Sequence, residues 1–219
     1  MSAPAQLRLH TYFRSSAAFR VRIALELKGL AWEPVAWQLA AGEHSSQAYR
    51  EIASFGLVPL LEIDGLRLQQ SQPIIEYLDA RFPAVPLLPA DESGKARARA
   101  LAQLVACEIH PLNNLRVLQY LRGPLGLPEA EVGTWYRHWC TEGLARMEAE
   151  LQGSVPTVGD YALGASPSIV DCFLVPQLFN ARRFEVDLRP YGRVRHIEAA
   201  CMELPAFQRA QPASQADAH

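Results

Sequence analysis

Cysteine is scarce and scattered in this chain. Its 219 residues hold four, Cys107, Cys140, Cys172 and Cys201, with no C-x-x-C pair among them. That spacing argues against a disulfide framework or a structural metal site and suits thiols kept reduced in a cytosol. The six histidines show no H-E-x-x-H or comparable spacing, so no metal is expected from them either. Positive charge is not in excess. Lys and Arg number 21 against 23 Asp and Glu, for a formal net charge of -2, and no basic run breaks the balance. A nucleic-acid surface is therefore not expected. No apolar stretch approaches the length of a membrane span and the N-terminus has no signal-peptide core, so the expected protein is cytoplasmic and crosses no membrane. Internal repeats and low-complexity tracts are missing too.

What is present is an ordinary globular composition, 49% apolar and 20% charged, in a chain long enough for one large domain or two small ones. The stretch that organises it is Arg14-Ser15-Ser16-Ala17-Ala18-Phe19-Arg20-Val21-Arg22-Ile23-Ala24-Leu25. Before it, Leu7 to Tyr12 alternates apolar and polar residues, the period of a strand. After it, Val21, Ala24 and Leu25 recur at helical spacing. Two hydroxyls thus stand where a strand gives way to a helix. A helix start offers unpaired N–H groups and the positive end of the macrodipole, a place to hold an anion such as a thiolate. A serine there is equally an ordinary N-cap.

In chain order, Lys28-Gly29 stops the first helix. Residues 32–37 read as a second strand, with Pro34 marking an edge position, and residues 45–52 as a short helix. Residues 57–63 form an apolar strand, and Asp64-Gly65 turns it tightly into Leu66-Arg67-Leu68-Gln69. A helix follows from Ser71 or Gln72, with Pro73 tolerated in its first turn. This order predicts a small mixed α/β domain over residues 1–83. Residues 84–91, rich in proline, are the linker, and residues 92–219 read as helices only. A long helix over 92–121 is expected to kink at Pro111, and others over 128–151, 168–183 and 191–202. Ser168-Ile169-Val170-Asp171 has the capping-box form, and the alanine-rich tail after 210 is expected to fray.

A mixed α/β domain followed by an all-helical one resembles the cytosolic glutathione transferases, and three motifs sharpen the likeness. Arg14-Ser15-Ser16 with Arg20-Val21-Arg22-Ile23-Ala24-Leu25 is similar to the zeta-class signature. Val58-Pro59 and Gln70-Ser71, with Ile74-Ile75-Glu76-Tyr77-Leu78, resemble the family's glutathione-binding segment. Ile109-His110-Pro111-Leu112-Asn113-Asn114-Leu115, with Val175-Pro176-Gln177 and the run from Arg183 to Leu188, resembles maleylacetoacetate and maleylpyruvate isomerases. The likeness spans about residues 7–207. The chain departs from the zeta pattern at Ala17, where the family has cysteine, and at Ala18 and Phe19.

The resemblance implies a thioredoxin-like N-terminal domain that binds glutathione, a helical C-terminal domain, and a homodimer. Ser15 matches the family's thiolate stabiliser, with Ser16 beside it. Pro59 is expected after a cis bond, turning the Val58 backbone toward the cysteinyl part of the tripeptide. From sequence alone Pro59 could simply start a strand. Gln70 and Ser71 stand where the family holds the γ-glutamyl carboxylate, and His44 could reach the glycyl carboxylate, although a loop histidine is commonly just solvated. Gln103, Cys107, His110 and Asn114 fall on one face of the long helix, a stripe that by spacing alone faces water or a cleft and that the resemblance implies faces glutathione, with His110 and Asn114 as cofactor contacts. Asn113, beside it, is placed to reach a neighbouring subunit's ligand. Arg14 and Arg183 suit bidentate carboxylate binding, and Arg182 has the weaker claim.

The expected activity is glutathione-dependent cis–trans isomerisation of a maleyl diacid, maleylacetoacetate or maleylpyruvate, with Ser15, Arg14 and Arg183 in the catalytic roles. A general glutathione transferase or haloacid dehalogenase would use the same thiolate and need no paired arginines. A non-enzymatic interaction protein of the same fold would not need the Ser15, Val58-Pro59 and Gln70-Ser71 motifs.

Overall fold

Leu9 lies between polar neighbours in a strand that has others on both sides, and its side chain is fully buried. That strand, β1 (Arg8–Thr11), is central in a four-stranded sheet of order β2-β1-β3-β4. The computed structural model describes residues 6–153 and 159–218. The chain divides into two units, Met1–Leu87 with Met202–His219, and Leu88–Cys201.

In the first unit β1 leads to α1 (Ser16–Leu27), β2 (Glu33–Ala36), a 3-10 turn at Glu43–Ser45 and α2 (Gln47–Ile52). Then come β3 (Leu60–Ile63), β4 (Leu66–Gln69) and α3 (Ser71–Arg81). The β1–β2 pair is parallel, while β1–β3 and β3–β4 are antiparallel. Pro34 sits in β2 at the sheet edge, where a missing N–H costs no ladder bond. Asp64 and Gly65 both adopt positive φ, at 50° and 78°, the geometry of a two-residue hairpin turn. The third strand starts three residues later than the apolar run predicts, because Pro59 has no N–H to give the ladder.

Around His10 the sheet encloses a buried polar pair. The Trp37 indole N–H donates to His10 Nδ1 at 2.9 Å, while Glu62 lies 3.7 Å from Nε2. Burial lowers the His10 pKa below the ordinary 6.5, with the Glu62 charge opposing it. The folded state thus binds fewer protons than the unfolded one just below that value, so stability is full above about pH 6.5 and is lost as pH falls. Thermal denaturation from pH 7.5 to 5.5 should show a falling Tm. His10→Asn, whose side-chain oxygen still accepts from Trp37, should flatten that slope; an unchanged slope would place the effect elsewhere.

The second unit is helical among its described residues: α4 (Glu92–Gln103), α5 (Leu115–Arg122), α6 (Glu129–Gln152), α7 (Ile169–Arg183) and α8 (Gly192–Met202). The single helix expected over 92–121 is not formed. After Gln103 the chain widens into π-helix over Leu104–Ile109, and His110 N–H bonds five residues back to Val105 O at 2.9 Å. Turns at 110–113 follow, and Asn114 caps a new helix. The break falls at Pro111, which has no N–H to continue the ladder, while His110 before it keeps helical φ and ψ of -60° and -43°. Gly143 of α6 lets the π segment come close: a Cβ there would stand 2.2 Å from Ile109 Cγ1. Helix α7 is buried along most of its length and begins with the capping box read at Ser168 and Asp171.

The tail after 202 returns to the first unit. Helix α9 (Pro205–Ala210) packs Ala206, Phe207 and Ala210 against α1, and a 3-10 turn follows at Pro212–Ser214. The fraying expected beyond 210 is not what the structure has. The Asp217 carboxylate accepts from Phe13 N–H at 3.0 Å, and Ala218 packs on the cluster of Tyr12, Phe13, Tyr49 and Val58. Composition alone hid these long-range contacts. Among the described residues, no helix is long and apolar enough to cross a membrane.

Candidate active site

Each end of the first unit's candidate site is a helix start. Ser15 is the N-cap of α1, in extended geometry, and its Oγ accepts from Ala18 N–H at 3.2 Å. Its own N–H closes the turn onto Tyr12 O at 2.9 Å. A hydroxyl that caps by accepting keeps its proton to donate. The N-cap reading and the anion-binding reading are therefore compatible at Ser15. Ser16, the first helical residue, is buried. Arg14 is exposed, its guanidinium carbon 4.8 Å from the centre of the Phe13 ring.

The second helix start is Gln70-Ser71. Gln70 has φ 71° and ψ 128°, a conformation that costs a non-glycine residue about 1–3 kcal/mol and persists where the surroundings enforce it. Ser71 is buried, and its Oγ accepts from Arg20 Nη1 at 3.2 Å. The buried Arg20 side chain thus joins the α1 helix to the start of α3 and brings positive charge to that start. Between the two helix starts in sequence, the Val58–Pro59 peptide is cis, as the family likeness implies. The buried Tyr49 hydroxyl, which burial pushes up in pKa, donates to Leu57 O at 2.8 Å and fixes the approach to that peptide. His44, in the 3-10 turn, is half-buried. Burial, joined by the Arg50 charge, lowers its pKa, so the ring is neutral at pH 7.

In the second unit the polar stripe is not one helical face, because the helix carrying it is interrupted. Gln103 and Cys107 are exposed, while His110 and Asn114 are half-buried on the turn. Asn114 Nδ2 lies 3.5 Å from His110 Nε2, and its Oδ1 caps α5 through Arg116 N–H at 3.3 Å. Asn113, expected to look outward, is turned inward: 8% exposed, it donates from Nδ2 to Tyr136 O at 3.3 Å. Arg182 and Arg183, adjacent at the end of α7, have different surroundings. Arg182 grips the Glu198 carboxylate with both terminal nitrogens. Arg183 is exposed, with one weak bond to Asn180 Oδ1 at 3.3 Å and its guanidinium near the Phe184 ring. That ring is stacked on Tyr136, centroids 3.6 Å apart.

Sequence reasoning missed Arg20 and Arg22 of α1. The trace they leave is two arginines flanking Val21 in an otherwise apolar stretch, which leaves them no solvent face.

Comparison with known proteins bears on this arrangement. A family model described as the glutathione S-transferase N-terminal domain matches residues 9–86. A maleylpyruvate isomerase of Ralstonia sp is 45% identical over 211 residues, 96% of this chain and 99% of that protein. A holo structure of a maleylpyruvate isomerase, described as a bacterial zeta-class glutathione S-transferase, superposes with a TM-score of 0.94 at 45% identity, covering 97% of this chain and 100% of that one. A maleylacetoacetate isomerase from Anaeromyxobacter dehalogenans, with glutathione bound in its active site, gives 0.89 at 41% identity and covers both chains fully.

Proposed function

The chain belongs to the zeta-class glutathione S-transferase family of maleylpyruvate and maleylacetoacetate isomerases, and from that premise we propose how its own residues isomerise a maleyl diacid. The first unit suits glutathione chemically. The tripeptide carries anionic groups at separate points, and the unit has two helix starts, at Ser15-Ser16 and at Ser71, that favour anions. Ser15 would hold the thiolate by its hydroxyl, assisted by the N–H groups opening α1. The Val58 backbone would pair with the cysteinyl segment, Pro59 keeping that segment out of the strand ladder. Gln70 and Ser71 would take the γ-glutamyl carboxylate, with Arg20 behind Ser71 supplying charge. A neutral His44 would meet the glycyl carboxylate by a hydrogen bond. His110 and Asn114 are the cofactor contacts proposed from the second unit, whereas Asn113, buried and held by the Tyr136 carbonyl, is not offered to a ligand by this geometry.

Bound glutathione supplies a nucleophilic thiolate, which makes the cis double bond reversibly single and so free to rotate. The chain's own part is electrostatic. Ser15 favours the ionised thiol, and Arg14 and Arg183 hold the substrate's carboxylates and steady the charge that develops between them. Arg182, engaged by Glu198, has the smaller share. The observation that carries the proposal is the Ser15 hydroxyl, capping α1 by accepting and so left with a proton to give. The assembly proposed is a cytoplasmic homodimer.

Incubation with maleylpyruvate or maleylacetoacetate, with and without glutathione, is the direct test: the cis isomer should disappear only when the tripeptide is present. No glutathione-dependent loss of either diacid would reject the activity. A general glutathione transferase would use the same thiolate and need no paired arginines. Arg183→Ala separates the two. It should raise KM for the diacid about tenfold, the scale of one charged hydrogen bond, and leave turnover of a neutral electrophile unchanged. Equal losses on both substrates would favour the general transferase.

A further inference from the structure

Backbone groups in a turn between a strand and a helix have no ladder to serve them and must find other partners. Between β1 and α1 those partners are two charged side chains from elsewhere in the first unit. Arg22, fully buried in α1, sends Nη2 to Phe13 O at 3.0 Å and Nη1 to Thr11 Oγ1 at 3.1 Å and Tyr12 O at 3.4 Å. Its Nε donates to Ala210 O, at the end of α9, at 3.0 Å. From the other side, Asp217 Oδ2 accepts Phe13 N–H at 3.0 Å. The carbonyl and the N–H of Phe13 therefore end on opposite charges, one from α1 and one from the tail. The next two residues are Arg14 and Ser15. Tyr12 O is shared, since it also accepts the Ser15 N–H at 2.9 Å.

The two charges also depend on each other. Burial lowers the Arg22 pKa to about 9, and the Asp217 charge is what opposes that fall. Ala218 packs on the cluster that contains Tyr12, Phe13 and Val58, so the tail joins the same apolar cluster as the residue before Pro59 and the turn that leads to Ser15.

We propose that Arg22 and Asp217 are positioning residues, which hold Phe13 from both sides so that the Ser15 hydroxyl is presented at a fixed place. This rests on the reading that Ser15 meets the glutathione thiol. Loosening the turn would let Ser15 wander and weaken its hold on the thiolate, so the group titrating in the cofactor complex would move to higher pH. Ordering of the tail would then be part of the enzyme's activity.

Asp217→Ala and Asp217→Asn test this, because asparagine keeps an oxygen to accept the Phe13 N–H and alanine does not. Asp217 is half-exposed, so both variants should fold. Amide hydrogen exchange at Phe13 should quicken at least about tenfold in the alanine variant, with the α1 interior unchanged. The acid limb of the pH profile of kcat at saturating glutathione should move to higher pH with alanine and return toward the natural position with asparagine. Arg22→Lys, which keeps a charge but cannot reach all three turn acceptors at once, should move the limb the same way. A protected Phe13 amide in the alanine variant would overturn the proposal. So would faster exchange with an unmoved pH profile, which would leave a purely structural contact. Absence of isomerisation in the unmodified protein would defeat the functional reading instead, and amide exchange would still decide whether Asp217 holds the turn.

Discussion

Ser15→Ala should lower glutathione-dependent isomerisation at neutral pH by roughly 10²- to 10³-fold, the loss seen when one preorganised donor to a developing or resident anion is removed. Ser15 caps α1 and, on the proposed reading, also donates to the glutathione thiolate; alanine removes both. The cap alone is worth about 1 kcal/mol of stability, too little to abolish folding. In the proposed role the donor would hold the thiol ionised, although the ordinary thiol pKa lies near 8.5. The loss should therefore shrink as pH rises and free thiolate becomes plentiful. Ser15→Asp separates the roles. Aspartate is as good a cap as serine, so α1 should keep its stability, but its charge repels a thiolate and activity should fall at least as far as with alanine. Wild-type rates at neutral pH in the alanine variant would remove Ser15 from the mechanism. Activity that followed only the melting temperature would reduce it to a cap.

The first unit was legible because its signals are local. Alternation from Leu7 to Tyr12, the Lys28-Gly29 stop, proline at an edge and Asp64-Gly65 at a hairpin each depend on a few neighbouring residues, and each element stands where those residues place it. The capping box at Ser168 was legible for the same reason. The long helix over 92–121 was misread because period and length favoured continuity, and Pro111 looked like a kink. Pro111 ends the ladder outright after an i-to-i−5 closure at His110, and the widened segment packs against Gly143, a residue more than thirty positions away that no local signal announces.

Site residues divide along the same line. Ser15, Pro59 and Ser71 could be placed because a helix start or a motif announces them. What Arg182 and Asn113 do could not be read, because their partners, Glu198 and the Tyr136 carbonyl, come from other helices. Arg22 and Asp217 meet through the turn at Phe13 although they lie nearly the whole chain apart. Alanine-rich composition at the C-terminus said nothing of that contact. A charged residue within an apolar helix stretch is the one trace the sequence offered, and it marked Arg20 and Arg22 alike.

Asp171→Ala should destabilise the fold by about 3–5 kcal/mol and lower Tm by roughly 10 °C. The carboxylate is wholly buried at the start of α7. Its Oδ1 accepts Ala162 N–H at 2.9 Å, and its Oδ2 accepts both the Ser168 N–H and the Ser168 hydroxyl at 2.7 Å. Alanine would strand two buried backbone donors, at about 1–3 kcal/mol each, and loosen the cap at Ser168. Relief of burying a charge offsets part of this, since burial already pushes the Asp171 carboxyl above its ordinary pKa. Asp171→Asn should fall between, because one of its two positions becomes a donor facing an N–H. Ser168→Ala should cost only about 1 kcal/mol, because the carboxylate still accepts both backbone donors. Denaturant unfolding of the three variants gives the order directly. If Asp171→Ala proved no worse than Ser168→Ala, the carboxylate would be an ordinary cap and α7 would owe its place to apolar packing alone.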